Sequence, residues 1–166
     1  MARDVGLESD IVDAVIARLI AQIPATFTAD NLILCMDWQR PQMTPGAICG
    51  LVGPDNGEFV EAMMEGGGQR QAEFAGGIIV GVFTPIRSDK AKRHDQALKD
   101  STRGLYPIWK NVIKALAAWS PGTAGSELTR HPLFPTTRQW TEFDVSGGRH
   151  VGFYQRFSVV YDVDLS

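Results

Sequence analysis

Cysteine is scarce in this chain, with two residues, Cys35 and Cys49, among 166. Small secreted domains that depend on disulfides carry many more, so that class is excluded. Both cysteines lie in apolar runs, where ionisation of a thiol is unfavourable, and we expect buried, reduced side chains and not nucleophiles. If the two runs pair as a hairpin centred near residue 42, the thiols face each other. A bridge is then conceivable, although a reducing compartment disfavours it.

Long apolar runs are absent as well. No stretch approaches the roughly 20 residues that a membrane-spanning helix needs. Residues 1–6 also lack the apolar core and the small-residue cleavage site of a signal peptide. We therefore expect a protein that has no membrane partner and that folds in a cytoplasm.

Positive charge is not in excess, since 16 Lys and Arg face 19 Asp and Glu, which leaves a net charge of −3. Domains that hold nucleic acid by charge alone usually have a pI above about 9, whereas the pI here is about 5.6. The hydrophobic fraction of 44% is ordinary for a globular protein. A chain of this length is typical of one domain with its own core, and we expect residues 1–166 to form one.

Signatures of catalysis are missing too. The sequence contains no phosphate-binding Gly-x-x-x-x-Gly-Lys-Ser/Thr loop, no dinucleotide-binding Gly-x-Gly-x-x-Gly and no Gly-x-Ser-x-Gly nucleophile elbow. The histidines His94, His131 and His150 share no metal-ligand spacing with one another or with a cysteine. We therefore predict no enzymatic activity, no cofactor and no metal.

The first element with clear periodicity is an amphipathic helix. Ser9 or Asp10 can cap its start, and Pro24 helps to end it. Its apolar residues fall on one stripe, which must lie against another element: Ile11, Val12, Val15, Ile16, Leu19, Ile20 and Ile23.

A second helical region extends from about Ser88, a plausible N-cap, to Trp119. Gly104 and Pro107 fall inside it. Because proline removes a backbone donor and clashes with the preceding turn, we expect a kink or a break near residues 103–106.

Short strands occupy the region between the helices. The pattern predicts four of them, at residues 32–38, 47–52, 58–65 and 71–84. Residues 53–57, Gly-Pro-Asp-Asn-Gly, are a strong signal for a hairpin turn between the second and the third. The fourth places Phe74, Ile78, Val80 and Val82 on one face, with Ile79 and Phe83 on the other.

The chain closes with a predicted hairpin, in which residues 137–145 and 149–165 flank Ser-Gly-Gly at 146–148. The last strand alternates cleanly, which is typical of a strand with one buried and one wet face. Its apolar face carries Phe153, Phe157, Val159, Tyr161, Val163 and Leu165, and its polar face Tyr154, Arg156, Ser158, Asp162 and Asp164. The segment 120–137 before it, rich in Pro and Gly, is predicted to be a long loop.

These elements predict an α+β fold, with a mostly antiparallel sheet and two helices packed on one face. Two helices cover only one face of the sheet, so the other face or a free edge needs a partner. The segments predicted to make such contacts are the loops 39–46, 66–70 and 120–137.

Several residues are candidates for an interface. Trp38, Trp119 and Trp140 lie next to loops, and tryptophan is enriched at interface anchors, although a place in the core fits them equally well. Asp162 and Asp164 point the same way, so they could bind a cation, act as acid and base, face an interface or simply be solvated. We add Arg70 and Arg156 to this interface set.

The order of elements resembles that of the tail terminator (tail-completion, minor tail) proteins of long-tailed bacteriophages. The resemblance comprises the helix at residues 11–23, the hairpin-rich middle, the strand ending in Gly-Val-Phe-Thr-Pro at 81–85, the following helix with Leu-Tyr-Pro-Ile-Trp at 105–109, and the alternating strand at 152–162. The chain departs from the family in a longer insertion at 120–137 and in its Gly-rich middle.

The resemblance implies a homohexameric ring that caps the tail tube, stops its polymerisation and joins the tail to the head connector. It also implies a virion protein of the tail or neck that is assembled in the host cytoplasm, with DNA passing through without specific binding. Two alternatives remain open: another neck, head–tail adaptor or tube-related virion protein, and a small α+β enzyme or ligand-binding module, which needs a deep pocket with convergent polar groups.

Overall fold

The computed structural model describes residues 7–64, 70–86, 97–101, 104–123, 125–145 and 148–164, without the side chains of Leu7, residues 61–64, Arg70 and Val145. In chain order its elements are α1 (Leu7–Gln22), β1 (Leu32–Leu34), β2 (Cys49–Met64), β3 (Arg70–Ile86), α2 (Leu105–Leu116), β4 (Gly122–Thr123), β5 (Ser126–Glu127), β6 (Phe134–Val145) and β7 (Gly148–Asp164). No helix in these ranges is long and apolar enough to cross a membrane.

Five of the strands form one sheet in the order β1-β2-β3-β7-β6, and β4 pairs with β5 in a separate small hairpin. Every pair in the large sheet is antiparallel except β1 with β2, which is parallel. The α+β class with a mostly antiparallel sheet is therefore confirmed.

Both helices pack on the same face of the sheet. The residues that alternate inward from β3 and β7, among them Ile78 and Phe157, meet the apolar stripes of α1 and α2 in one core. Fully buried members of this core include Ile11, Val15, Leu19, Val80, Val82, Leu105, Val112, Leu116 and Phe153. The predicted faces of β3 and β7 are confirmed, apart from Leu165, which lies outside the described residues.

The two helix boundaries follow from local chemistry. α1 begins at Leu7, so Ser9 and Asp10 lie inside its first turn and are not its cap, and it ends before Pro24 as predicted. In the second helical region, residues 97–99 are helical and a break precedes α2, which begins after Gly104 in an extended conformation. Pro107 falls in the first turn of α2, where its missing N–H is no loss. The break is thus confirmed, while Ser88 lies outside the described residues.

The hairpin considered for the two cysteine-containing runs does not form. β1 runs parallel to β2, with Leu32 opposite Gly50 and Leu34 opposite Val52. This register places Cys35 and Cys49 about four residues, or about 13 Å, apart along the strands, whereas a disulfide needs Cα atoms within about 7 Å. Both are free and buried. The connection crosses a face of the sheet because it buries apolar side chains there, which a tight hairpin would not do.

The predicted turn at residues 53–57 is also wrong, because β2 continues through it. A register shift between Asp55 and Glu58 absorbs the two intervening residues as a bulge. The long β3 supplies partners along almost the whole of β2, so the Asn-Gly signal is satisfied without a reversal of the chain. Within the described residues, three strands and not four therefore precede α2.

The segment 120–137 is less of a loop than predicted. It contains the β4–β5 hairpin, and β6 already begins at Phe134. Backbone bonds between Leu133 and Trp119 and between Leu128 and Pro121 hold the segment against the end of α2, and Leu133 is buried. These contacts explain the difference, since the Pro and Gly residues set local turns within an ordered segment.

Candidate interaction surfaces

A strap of residues 35–48 covers half of the sheet face opposite the helices. The Trp38 indole donates to the Pro54 carbonyl at 3.3 Å, and the Tyr154 hydroxyl donates to the Trp38 carbonyl at 2.9 Å. The His150 Nε2 lies 3.2 Å from the Ala47 carbonyl oxygen. The strap packs over Leu51 and Phe83, both fully buried. The expectation of an uncovered second face is therefore corrected for this half, and the loop 39–46 belongs to the cover.

Beyond the strap, the same face holds an open groove of about 540 Å³. Its aromatic walls are Trp38 and Tyr154, whose rings meet edge to face. On its floor the Arg156 Nε binds the Asp55 carboxylate at 2.6 Å, and the guanidinium lies over Gly77, where a Cβ atom would approach it to 2.7 Å. Arg156, an interface candidate from sequence, thus forms an ion pair within its own subunit.

Asp162 and Asp164, the two aspartates at the end of β7, lie on one face of the strand. The Asp162 carboxylate binds Arg130 at 2.7 Å, and Arg130 also binds Glu73 at 2.6 Å, so the segment 120–137 is tied to the sheet. Asp164 lies on the same face, at the end of the strand. Nowhere in the described residues do three or more His, Cys, Asp or Glu side chains gather as metal ligands.

All three candidate tryptophans contribute to the packing of the subunit itself, and Trp140, like Trp119, lies partly buried against the core. Trp38 fastens the strap, as described above. Trp119 packs partly buried against the core, and the Arg18 guanidinium lies 5.3 Å from the centre of its ring. Of the loop 66–70, residues 66–69 and the side chain of Arg70 lie outside the described residues.

Exposed apolar side chains concentrate at the two opposite edges of the sheet. On the β1–β2 edge the described residues expose Ile33, Leu34, Met36, Phe59 and Val60. Beside β6, at the other edge, they expose Phe134 and Tyr106. Within the described ranges no strand pairs with β2 beyond Pro54 or with the outer side of β6, so both edges carry open backbone groups.

Each edge is reached from the core by a row of aromatic rings on the helix-bearing face. The first row is Tyr161, Phe74 and Phe59, with neighbouring ring centres 5.2 and 5.3 Å apart. It ends in Phe59, which is 58% exposed, next to the equally exposed Val60. Val60 has no partner on β3 because a bulge makes it the extra residue of β2.

The second row is Phe153, Trp140 and Tyr106, with ring centres 5.7 and 5.4 Å apart. Arg138 lies beside it, with its guanidinium 4.3 Å from the centre of the Trp109 ring and 5.1 Å from that of Trp140. We call Tyr106, Trp109, Arg138 and Trp140 the Tyr106 cluster. Such stacking stabilises an Arg side chain at an exposed site, where it presents its N–H groups outward.

Sequence reasoning named Trp140 but missed Tyr106, Arg138, Phe59 and Val60. A signal for one of the missed residues was present, since Arg138 lies two positions before Trp140 in the same strand and so shares its face. The exposure of Phe59 had no such signal, because the predicted turn gave β2 the wrong length.

Burial perturbs two tyrosines of the molecule. Desolvation raises the pKa of Tyr154 far above its usual range, and Cys35 and Asp37 raise it further. Desolvation likewise raises the pKa of Tyr161, whose hydroxyl donates to Glu8 at 2.8 Å. Both phenols are therefore held neutral, one fastening the strap and the other joining β7 to α1.

These tyrosines predict a loss of stability in alkali. The unfolded chain releases phenol protons at about pH 10, whereas the folded chain still holds them. The contribution of the two tyrosines to the free energy of unfolding is therefore at its full value below about pH 10 and falls as the pH rises further. Urea midpoints measured from about pH 8 to about pH 11 should show this fall, and Tyr154→Phe with Tyr161→Phe should make it shallower.

Tyr106→Phe, at a more exposed phenol, is the matched control and should keep the wild-type dependence on pH. An equally steep fall in the Tyr154→Phe/Tyr161→Phe variant would contradict the assignment.

Comparison with known proteins finds no matching family model and no matching curated protein. Among solved structures, the chain is similar to one described as "Virion of native gene transfer agent (GTA) particle", with a TM-score of 0.46 and 13% identity over 95% of this chain and 99% of that one. A second solved chain, whose description states no function, is 16% identical with a TM-score of 0.38, over 93% and 96% of the two chains.

Proposed function

We propose that this chain is a structural protein of a phage-like virion, and that it forms the ring that ends the tail tube. The observation that carries the proposal is the pair of exposed aromatic edges on one sheet, because a ring subunit needs two different surfaces that meet between neighbouring copies. The order of elements that resembles tail terminators supports the same role. The gene transfer agent chain, at a TM-score of 0.46, adds no weight to it.

In this role the ring has an upper and a lower face, in addition to the contacts between its neighbouring subunits. One face binds the last ring of tail tube protein and stops its growth, and the other offers a surface to the head connector. The net charge of −3 suits a channel that DNA passes without being held, since a basic lining would bind the phosphates. The protein itself then performs no catalysis.

The proposal predicts a specific defect when the gene is removed from the genome that encodes it. Without a terminator nothing stops the tube, so electron microscopy should show overlong tails of variable length that are detached from heads. Expression of the wild-type chain from a plasmid should restore uniform, joined tails. Antibody labelling of normal particles should mark the end of the tail next to the head.

The same experiment separates the role from its nearest rival. A head–tail adaptor leaves tails of normal length beside separate heads, because the tube still ends correctly. Particles that are fully assembled and of normal length without the protein would contradict both roles.

A further inference from the structure

The two aromatic rows lie on the same face of the sheet but end at opposite edges. Phe59 and Phe74 are direct partners, as are Trp140 and Phe153, and both Phe74 and Phe153 belong to the helix-bearing face. One edge therefore ends in a projecting apolar pair, Phe59 and Val60, and the other in the Tyr106 cluster. A second copy, turned about a ring axis and tilted, brings these unlike ends together.

We infer that neighbouring copies meet head to tail, with Phe59 and Val60 of one copy seated on the Tyr106 cluster of the next. This contact rests on the proposed ring and specifies how it closes. Trp, Tyr and Arg are the residues that most often dominate the binding energy of interfaces, and the cluster consists of these three types alone. The partner is a second copy because one chain carries both halves, a projecting apolar pair and an aromatic surface, on one sheet.

The sheet sets the tilt that closure requires. The rows cross β7 at Phe153 and Tyr161, which are about eight residues, or about 27 Å, apart along the strand. The rows end on β2 and on β6, so four strand spacings, about 19 Å, separate one contact from the next across the sheet. A contact between the ends of the two rows therefore tilts the strands by about 55° from the ring axis.

The outer edge of β6 can strengthen the contact through its backbone. From Arg138 to Val145 the strand is in regular register with β7, and no strand of the described residues pairs with its outer side. The incoming edge of β2 brings open groups of its own beyond Pro54. The interface is therefore expected to combine aromatic contacts with hydrogen bonds between strands.

Two single substitutions test the contact. Val60→Lys places an ammonium on the projecting pair, and Tyr106→Lys places one in the cluster, so each variant would set a second cation beside the Arg138 guanidinium of the contact. Both sites are exposed, so each variant should fold. Each should weaken self-association by about 100-fold or more, because the contact would bury an unpaired charge.

Mixing the two variants gives the decisive result. Each keeps one intact half, so a mixture should form 1:1 dimers and no larger species, while either variant alone stays monomeric. Light scattering coupled to size exclusion measures this, beside a wild-type chain that forms larger rings. Met36→Lys, at a residue 69% exposed but away from both row ends, is the control and should assemble like the wild type.

Other outcomes would overturn the contact. They are a wild-type chain that stays monomeric at every concentration, rings that survive both substitutions, or a Val60→Lys variant that still dimerises alone, which indicates a symmetric contact through β6. If rings survive both substitutions, the contact is wrong but the proposed tail role is not contradicted. That role is tested separately, by the tail lengths in particles without the gene.

Discussion

Phe157→Asp is expected to abolish folding. Phe157 is fully buried in β7, between the two helices and the partner strand β3, where it lies opposite Ile78. Removing a buried Phe side chain alone costs about 3–5 kcal/mol, and a carboxylate among apolar groups adds the cost of burying a charge. The sum is comparable with the whole stability of a domain, about 5–15 kcal/mol.

Circular dichroism and a thermal scan of purified protein measure this outcome. Ser158→Asp is the matched control, because the next residue of the same strand points to the opposite face and is only half buried. The control should fold with a melting temperature near that of the wild type. A folded Phe157→Asp protein would mean that the faces of β7 are assigned the wrong way round.

Gly152→Ala is expected to destabilise the domain by about 3 kcal/mol. A Cβ atom at this position would lie 2.1 Å from the Val82 carbonyl oxygen and 2.4 Å from the Phe83 ring. The oxygen belongs to the backbone of β3, which is paired with β7 along nearly its entire length, so it cannot give way without breaking the ladder. The effect comes from close approach of two strands and not from glycine's freedom of rotation.

Urea unfolding gives the comparison, with an unchanged slope and a lower midpoint expected for Gly152→Ala. Gly148→Ala, at the start of the same strand, is the control, since a Cβ atom there meets nothing within 4 Å. Its free energy of unfolding should stay within about 0.5 kcal/mol of the wild-type value. Equal midpoints for the two variants would contradict the close approach.

The parts of the fold that the sequence predicted correctly are those set by local periodicity. The stripe of α1 and the alternation along β7 each need only one element and one apolar side. The break before α2 follows from Gly104 and Pro107, whose backbone chemistry acts over one turn. The α+β class then follows from counting the apolar faces that have to be covered.

The wrong predictions concern which segments that are distant in sequence pair with each other in the fold. Asn56 and Gly57 fit a hairpin turn, but the presence of β3 along all of β2 makes a bulge the better solution. The run at residues 32–38 was considered as one half of a hairpin with the next strand, yet it pairs in parallel because the intervening strap buries Trp38 and Met43 on the sheet. Local signals carry no information about which face such a strap will cover.

The interface candidates show the same difference between what local sequence predicts and what distant segments decide. Of the interface candidates, Trp140 lies in the Tyr106 cluster, whereas Arg156 and Asp162 form ion pairs within the subunit. A polar residue on the wet face of a strand is visible from sequence. Whether a neighbouring strand supplies its counter-charge is not, because Asp55 and Arg156 are about a hundred positions apart.

By itself, the sequence determined the α+β class, the net charge of −3, the buried faces of the helices and the last strand, and the burial of both cysteines. These depend on composition and on periods of 3.6 and 2 residues. Only the tertiary structure decided that β2 is one long edge strand, that a strap covers half of the second face, and that aromatic rows end exposed at both edges. Those features arise when distant segments compete for the same surface, and the competition is resolved by packing.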